Sequence, residues 1–408
     1  MTAQTEFVTS VVGLRGTWPD HPTTWSHSSL EEVGQCPRKY ALRHAQYPDL
    51  WDGPGYPDKV WEASIFGDAV HQGVETLLRA LHSGGCTSVK DEQTVELLRG
   101  LGGYSAVASR ETARVLADLE SNPRMAAHLD RLADRLNRRI PEMRSAMQTL
   151  VSRTSLEMGE PTQHEETGAG FLGGRRRIGL GSHPEVTLES EDDRFTGRVD
   201  LLTVKSDSAD VVDYKTGKRE DHHDVQVTLY GLLWFSDRVA NPDSLSVGTL
   251  KIAYITGDES VAVPEDWEPV RQELLARITE ADRALAESPP RAHPSDDCSF
   301  CSVWHMCDEF WNSEYGEPRV SPGRADVSVE VIERNGPRSW IVRFESDSRQ
   351  VLLRVVDEED SIEVGQRLRI LGVTLSATEG ENGDDDWMIA TTSAFSETYL
   401  VEDSISGS

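Results

Sequence analysis

The sequence predicts an α/β protein, a mixed sheet flanked by helices, followed by a smaller all-β domain. Three stretches carry that expectation. Phe195–Lys215 sets Val-, Leu- and Thr-rich segments on either side of a polar Lys205–Asp210 turn, the pattern of a β-hairpin. Val60–Leu81 places Phe66, Val70, Val74, Leu77 and Leu81 at helical spacing, one continuous apolar stripe. From Ala325 onward the segments Val327–Ile332, Trp340–Phe344, Val351–Val356, Arg367–Leu375 and Trp387–Thr392 alternate with Asp, Glu and Gly turns, which suits a small, OB-like β-barrel. The expected organisation is a leader over 1–24, an α/β domain over 25–318 with a helical insertion at 91–160, and an acidic β domain over 322–408.

With 408 residues the chain has room for two domains or more. It carries 41 Lys and Arg against 70 Asp and Glu, a net charge of −29, which speaks against nucleic-acid binding by bulk charge. Local clusters such as Arg175-Arg176-Arg177 decide that question, because binding follows the local field. The N-terminus has no basic segment followed by an apolar core, and no apolar run reaches membrane-spanning length, so a cytoplasmic protein without a membrane partner is expected. Thr216-Gly217-Lys218 lacks the upstream glycine and following hydroxyl of a P-loop, so no ATP motor is encoded here. Five cysteines, unevenly placed, do not make a disulfide framework.

In chain order, Ser26–Arg43 reads as a helix start capped by Ser28 or Ser29, with Glu31 or Glu32 near the third helical position and an interruption at Cys36-Pro37. A Trp-, Pro- and Gly-rich loop follows from Tyr47 to Lys59. In the next helix His71 lies one turn after Gly67 and one turn before Glu75; a lone helical histidine is ordinarily packed or exposed, and the glycine would let a backbone or substrate come close. Asp91–Ser155 is helical. Glu157–Gly181 is Gly-rich, and its arginine run suits a solvated loop as well as phosphate contact. His183–Glu189 reads as a strand feeding the hairpin. Asp224–Asp237 is a helix with Gln226 and Tyr230 on one face and Val225, Leu229 and Leu232 or Leu233 in the core, while His222 and His223 are expected to face solvent. Leu250–Thr256 is a strand and Glu265–Ser288 a helix.

The hairpin carries the chemistry. Centred between Ser206 and Asp207, it sets Asp200 opposite Asp213, at a cross-strand Cβ distance of about 5 Å, near enough to share a divalent cation. Lys215, two residues beyond Asp213, falls on the same face. The plain alternative is a pair of solvated acids on an edge hairpin. Against it stand Leu201, Leu202, Val211 and Val212, which mark buried strands where unpaired acids are costly.

The order G-x-x-D (Gly197 to Asp200), D-x-K (Asp213 to Lys215), then Gln226-x-x-x-Tyr230 resembles the PD-(D/E)XK nuclease superfamily, in particular its RecB-like exonuclease branch. The resemblance spans roughly Ser26 to Phe310 and implies a restriction-endonuclease-like core. It also implies His71 as a metal ligand, Glu185 as the acid preceding G-x-x-D (with Glu189 competing), and Gln226 and Tyr230 as residues holding DNA and the site. Mg²⁺ or Mn²⁺ would be held by His71, Asp200, Asp213 and the backbone carbonyl of Tyr214, with Lys215 acting on the attacking water.

Cys298-x2-Cys301-x5-Cys307 gathers three thiols, and Cys36, at the other end of the domain, can complete a set of four. Spacing alone favours zinc, with His305 as an alternative fourth ligand. The distant single cysteine with C-x2-C-x5-C instead resembles the iron–sulfur subset of these nucleases, AddB-like and CRISPR-associated, and implies a structural [4Fe–4S] cluster. Cys86 is expected to be a free thiol. The expected function is therefore a metal-dependent DNA nuclease on single-stranded ends in repair, recombination or defence, served by a helicase or other protein in trans. The alternatives are a non-catalytic DNA-binding or assembly subunit and a zinc-stapled interaction scaffold. Of the tail aromatics, Trp340, Phe344, Trp387 and Phe395 are the ones available to stack on bases, although its acidity favours a protein-binding or stabilising role.

Overall fold

The fold is that of a computed structural model describing residues 6–159, 175–316, 324–356, 362–378 and 387–402. The glycine-rich stretch at 160–174, the start of the leader, the expected boundary at 318–322 and the Trp387 side chain lie outside the described residues.

Strands β1 (Glu6–Val8) and β2 (Arg15–Thr17) form a short hairpin, followed by helices α1 (His27–Gln35), α2 (Pro37–His44) and α3 (Glu62–Ser83). Helices α4 (Thr94–Gly100), α5 (Gly103–Asp118), α6 (Leu129–Arg138) and α7 (Ile140–Arg153) follow, in the stretch expected to be helical. Strands β3 (Gly181–Ser190), β4 (Phe195–Val204) and β5 (Ser208–Lys215) are followed by α8 (Asp221–Ser236), β6 (Ser246–Tyr254), β7 (Gly257–Val261), α9 (Glu268–Leu285) and the short α10 (Asp308–Trp311). These five strands make one sheet in the order β3-β4-β5-β6-β7, antiparallel except for the β5–β6 pair, whose crossover is α8.

Period-two alternation divides the sheet between two cores. Leu202, Val204, Val211, Ile252 and Tyr254 pack with Leu30 of α1, Val227 and Leu233 of α8 and Leu274 of α9. Leu201, Val212, Tyr214 and Ala253 face the other way, onto Val70, Val74 and Leu77 of α3 and, beyond them, Val107 of α5 and Met147 of α7. Helices α5 and α7 thus complete the second helical layer. Helix α1 starts two or three residues earlier than expected: Ser26 is the N-cap, and its box is closed by Ser29, since both hydroxyls reach the required backbone N–H groups.

The C-terminal part is a small β-barrel built from β8 (Arg324–Gly336), β9 (Ser339–Phe344), β10 (Gln350–Arg354), β11 (Arg367–Thr378) and β12 (Trp387–Thr391). Their order β12-β10-β9-β8-β11 closes through a β11–β12 pairing, and β13 (Glu397–Val401) adds to the outer edge of β11. Trp340 and Phe344 are fully buried in its centre, so they build the barrel and are unavailable to stack on bases.

The leader is more than a loose end. Its Val12 N–H donates to the Leu400 carbonyl at 2.9 Å, and the Glu402 N–H donates to Ser10 at 2.8 Å, so the hairpin laces the barrel to the body. Arg369 of β11 adds hydrogen bonds to the His305 carbonyl (2.7 Å) and to Asp308 (2.6 Å). No helix among the described residues is long and apolar enough to cross a membrane.

Candidate active site

The register of three strands sets the acids in one row. β4 and β5 pair Leu201 with Val212 and Leu202 with Val211, so the next position outward sets Asp200 across from Asp213, as the hairpin pattern required. On the other side, Pro184 pairs with Leu201 and Val186 with Val199, which leaves Glu185 across from Asp200. The ladder skips that residue. Glu185 has φ 57°, the left-handed region an ordinary side chain avoids, a local strain of the kind held at functional sites. In place of a ladder bond, Asp200 Oδ2 accepts from the Tyr214 N–H at 2.6 Å. Three carboxylates therefore line up across β3, β4 and β5, all largely shielded from solvent, with Asp213 2% exposed.

Helix α3 brings His71 over this row. Its Nε2 lies 2.9 Å from Asp200 Oδ1 and its Nδ1 3.5 Å from Glu185 Oε1. Gly67, one turn earlier, permits the approach: a Cβ there would stand 3.3 Å from Thr216 Oγ1, just beyond Lys215. On the far side, Lys215 Nζ lies 2.8 Å from Asp213 Oδ2 and donates to Gln226 Oε1 at 2.8 Å. Gln226 Nε2 in turn approaches the Tyr230 hydroxyl at 2.8 Å. The ring of Tyr230 rests on Gly197, where a Cβ would be only 2.7 Å from it. That contact gives the glycine of G-x-x-D its physical reason.

Close acids and a half-buried imidazole set the electrostatics of the row. Burial opposes a charged His71, but the hydrogen bond and charge of Asp200, with Glu185 and Asp213, prevail and raise it to about 9. Burial, reinforced by Asp200, raises Glu185 to about 7 against the pull of His71 and Arg198. Burial and Asp200 also raise Asp213, with Lys215 opposing. The raised values at His71, Glu185 and Asp213 favour protons at those groups. His71, Glu185 and Asp200 offer ligand atoms within 4.8 Å of one another, so an imidazole and hard carboxylate oxygens present the donor set that Mg²⁺ or Mn²⁺ takes. A bound cation would displace those protons.

Of the two competing acids, Glu185 joins the cluster, while Glu189 lies 3.6 Å from Arg175. Sequence reading passed over Arg198, whose Nε is 2.5 Å from Glu185 Oε2; it stands inside G-x-x-D, and the strand alternation there was the available signal. It also passed over Thr154, which meets the Tyr214 hydroxyl at 2.8 Å from a helix end no motif marks. The arginine run is largely neutralised, Arg175 by Asp237 and Arg177 by Asp243. His223 is buried against the Tyr254 hydroxyl at 2.9 Å, contrary to the solvent-facing position expected for it.

Cys36, Cys298, Cys301 and Cys307 line one cavity. Cys36 caps α2 and accepts from the Lys39 and His293 N–H groups at 3.5 Å; Cys298 accepts from the Ser295 N–H at 3.4 Å. Burial pushes the Cys301 and Cys307 thiols up to about 12, so a bound metal is what would make them thiolates. Among the described residues, no three of these sulfurs come within 4.8 Å of one another. His305 does not line the cavity; it is fully buried, with Nε2 2.7 Å from the Tyr56 hydroxyl.

No curated protein matches this chain. Among solved structures, a murine DNA-binding protein bound to double-stranded DNA is similar at 9% identity over 56% of this chain and 95% of that chain, with a TM-score of 0.17. At that score the likeness says nothing about how this chain works. The sequence pattern of the PD-(D/E)XK nuclease superfamily matches residues 24–308, which hold the whole acid row and all four cavity-lining cysteines. That match covers most of the chain, and the protein belongs to the PD-(D/E)XK nuclease superfamily.

Proposed function

We propose that the protein is a Mg²⁺- or Mn²⁺-dependent DNA nuclease of the RecB-like branch, acting on single-stranded ends in repair, recombination or defence. The observation that carries it is the Glu185–Asp200–Asp213 row, flanked by His71 on one side and by the Lys215–Gln226–Tyr230 chain on the other. His71, Asp200, Asp213 and the Tyr214 carbonyl are the proposed ligands, with Glu185 as an auxiliary acid. A divalent cation there supplies the Lewis acidity that makes water nucleophilic at neutral pH and offsets charge on the phosphoryl oxygens. Lys215, fixed between Asp213 and Gln226, orients or deprotonates that water and stabilises the transition state. Tyr230 and Gln226 hold the lysine in place, and burial of the row keeps competing water out.

The four cysteines are proposed to hold a structural [4Fe–4S] cluster. Their shared cavity, and the backbone N–H groups donating to Cys36 and Cys298, support that reading. With Cys36 before α2 and the other three beyond α9, the cluster staples the two ends of the nuclease body. Since the sequence carries no P-loop, unwound substrate would come from a helicase or another protein in trans.

The test is digestion of end-labelled single- and double-stranded DNA by anaerobically purified protein with Mg²⁺, Mn²⁺ or EDTA. Metal-dependent cutting that prefers single strands is expected, and the product ladder gives its polarity. No cutting with either metal would leave a DNA-binding subunit.

A further inference from the structure

A cleft between the nuclease body and the β-barrel offers a second, independent feature. It encloses about 340 Å³ and is lined by the start of α3, by α6 and by the barrel. Its walls carry Trp61, His128, Arg131, Arg135, Arg324 and Phe395. Most arginines in this acidic chain are tied to carboxylates; in the cleft, Arg135 is held by Glu62 at 3.4 Å. Arg131 and Arg324 differ: among the described residues neither forms an ion pair. Both gather instead around Phe395, their guanidinium carbons 4.4 and 6.0 Å from its ring centroid, and His128 stacks on the same ring at 4.8 Å. An aromatic ring fixes a guanidinium in place without cancelling its charge. Trp61, 58% exposed, presents an indole at the mouth of the cleft.

Position links this cleft to the acid row. Trp61 immediately precedes α3, and His71 follows ten residues later on the same helix, about 15 Å at the usual rise. Preorganised cations that remain unneutralised beside an exposed indole are what a single-stranded polynucleotide needs, phosphates on the first and an unstacked base on the second. A duplex hides its bases from such a platform. We propose that this cleft, on the nuclease reading given above, binds the single-stranded substrate at a distance from the scissile bond, with Arg131 and Arg324 on phosphates and Trp61 stacked on a base. It makes the barrel part of the substrate site through Phe395 and Arg324.

Binding of 5′-fluorescein-labelled oligo(dT) in EDTA, followed by anisotropy across a salt series, separates affinity from cleavage. The combined Arg131→Glu, Arg324→Glu protein should bind about tenfold or more weakly, with the salt slope reduced by about 1.4, roughly 0.7 for each lost single-strand phosphate contact. Trp61→Ala should bind about tenfold more weakly. Arg291→Glu, a surface change outside the cleft, should bind as the parent does. Mn²⁺-dependent hydrolysis of bis(p-nitrophenyl) phosphate, too small to reach the cleft, should be unchanged in all of them. Parent-like oligo(dT) affinity in the charge-reversed protein overturns the proposal, as does an equal loss in Arg291→Glu. A duplex bound as tightly as oligo(dT) and weakened equally by Trp61→Ala also overturns it, as does a cleft that takes an acidic peptide while oligo(dT) binding stays intact. Failure of the parent to hydrolyse either DNA or the small phosphodiester would count against the nuclease reading alone, and leave the binding result to be judged by itself.

Discussion

Gly197→Ala asks whether the Lys215–Gln226–Tyr230 chain matters for catalysis. A Cβ at this position would lie 2.7 Å from Tyr230 Cε1, 2.9 Å from Leu233 Cδ1 and 3.0 Å from Tyr230 Cδ1. Ordinary carbon contacts begin near 3.5 Å, so the ring must withdraw by about 0.5–1 Å. Tyr230 is 7% exposed and packed among Val227 and Leu233, which leaves it little room to move. Overpacking of this kind costs about 1–3 kcal/mol. The Gln226–Tyr230 contact of 2.8 Å then stretches to the limit of a hydrogen bond, and Gln226 loses the partner that aims it at Lys215. Misplacing a group by about 1 Å can cost about 10²-fold in rate. The assay is single-turnover cleavage of a labelled single strand with saturating Mn²⁺, beside thermal unfolding and Mn²⁺ titration. Expected are a rate lower by about 10- to 100-fold, a melting temperature a few degrees lower and Mn²⁺ affinity near that of the parent. A parent-like rate in a protein whose melting temperature has fallen would refute the positioning role.

Asp200→Asn removes the charge shared by His71 and Tyr214, so Mn²⁺ affinity should fall by about tenfold or more in calorimetry while the fold persists; unchanged affinity would remove Asp200 from the ligand set. Cys36→Ser should abolish visible absorbance, iron and labile sulfide and lower the melting temperature, whereas stoichiometric zinc in the parent would reassign the site. At the body–barrel seam, burial alone would raise the Glu397 pKa, but Arg124 and Lys59 prevail and lower it from 4.5 to about 2. Its contribution, about 3 kcal/mol, is present above pH 4.5 and is lost as the pH falls toward 2. The stability gap between parent and Glu397→Gln, measured by urea unfolding, should accordingly be widest near neutrality and close in acid.

What could be read from the chain followed from local periodicity. The Asp200–Asp213 register was legible because period-two alternation and a Ser/Asp turn fix a hairpin to the residue. α3 and its His71 were legible because an apolar stripe sets the face of a long helix. Glu185 could be named only by resemblance, since nothing in its neighbours announces a left-handed residue between two paired ones. The place of Trp340 and Phe344 was not legible because an aromatic in a strand looks the same whether it fills a barrel or floors a groove. The β1–β2 hairpin within the leader was not legible because its partners, Leu400 and Gln46, are supplied by tertiary structure. β7 and β13 escaped for the same reason, as edge strands without an alternating core pattern. The cleft at Trp61 joins four segments far apart in sequence, and no window of residues displays it.

Lys215→Ala tests the central claim most directly, because the lysine is proposed to act in chemistry and not to hold the metal. Cleavage of end-labelled single-stranded DNA and Mn²⁺ binding should be measured on the same preparation of parent and variant. The account predicts parent-like Mn²⁺ affinity and melting temperature with a cleavage rate lower by about 10²- to 10⁴-fold. Cleavage at the parental rate by a variant that binds Mn²⁺ normally would contradict it.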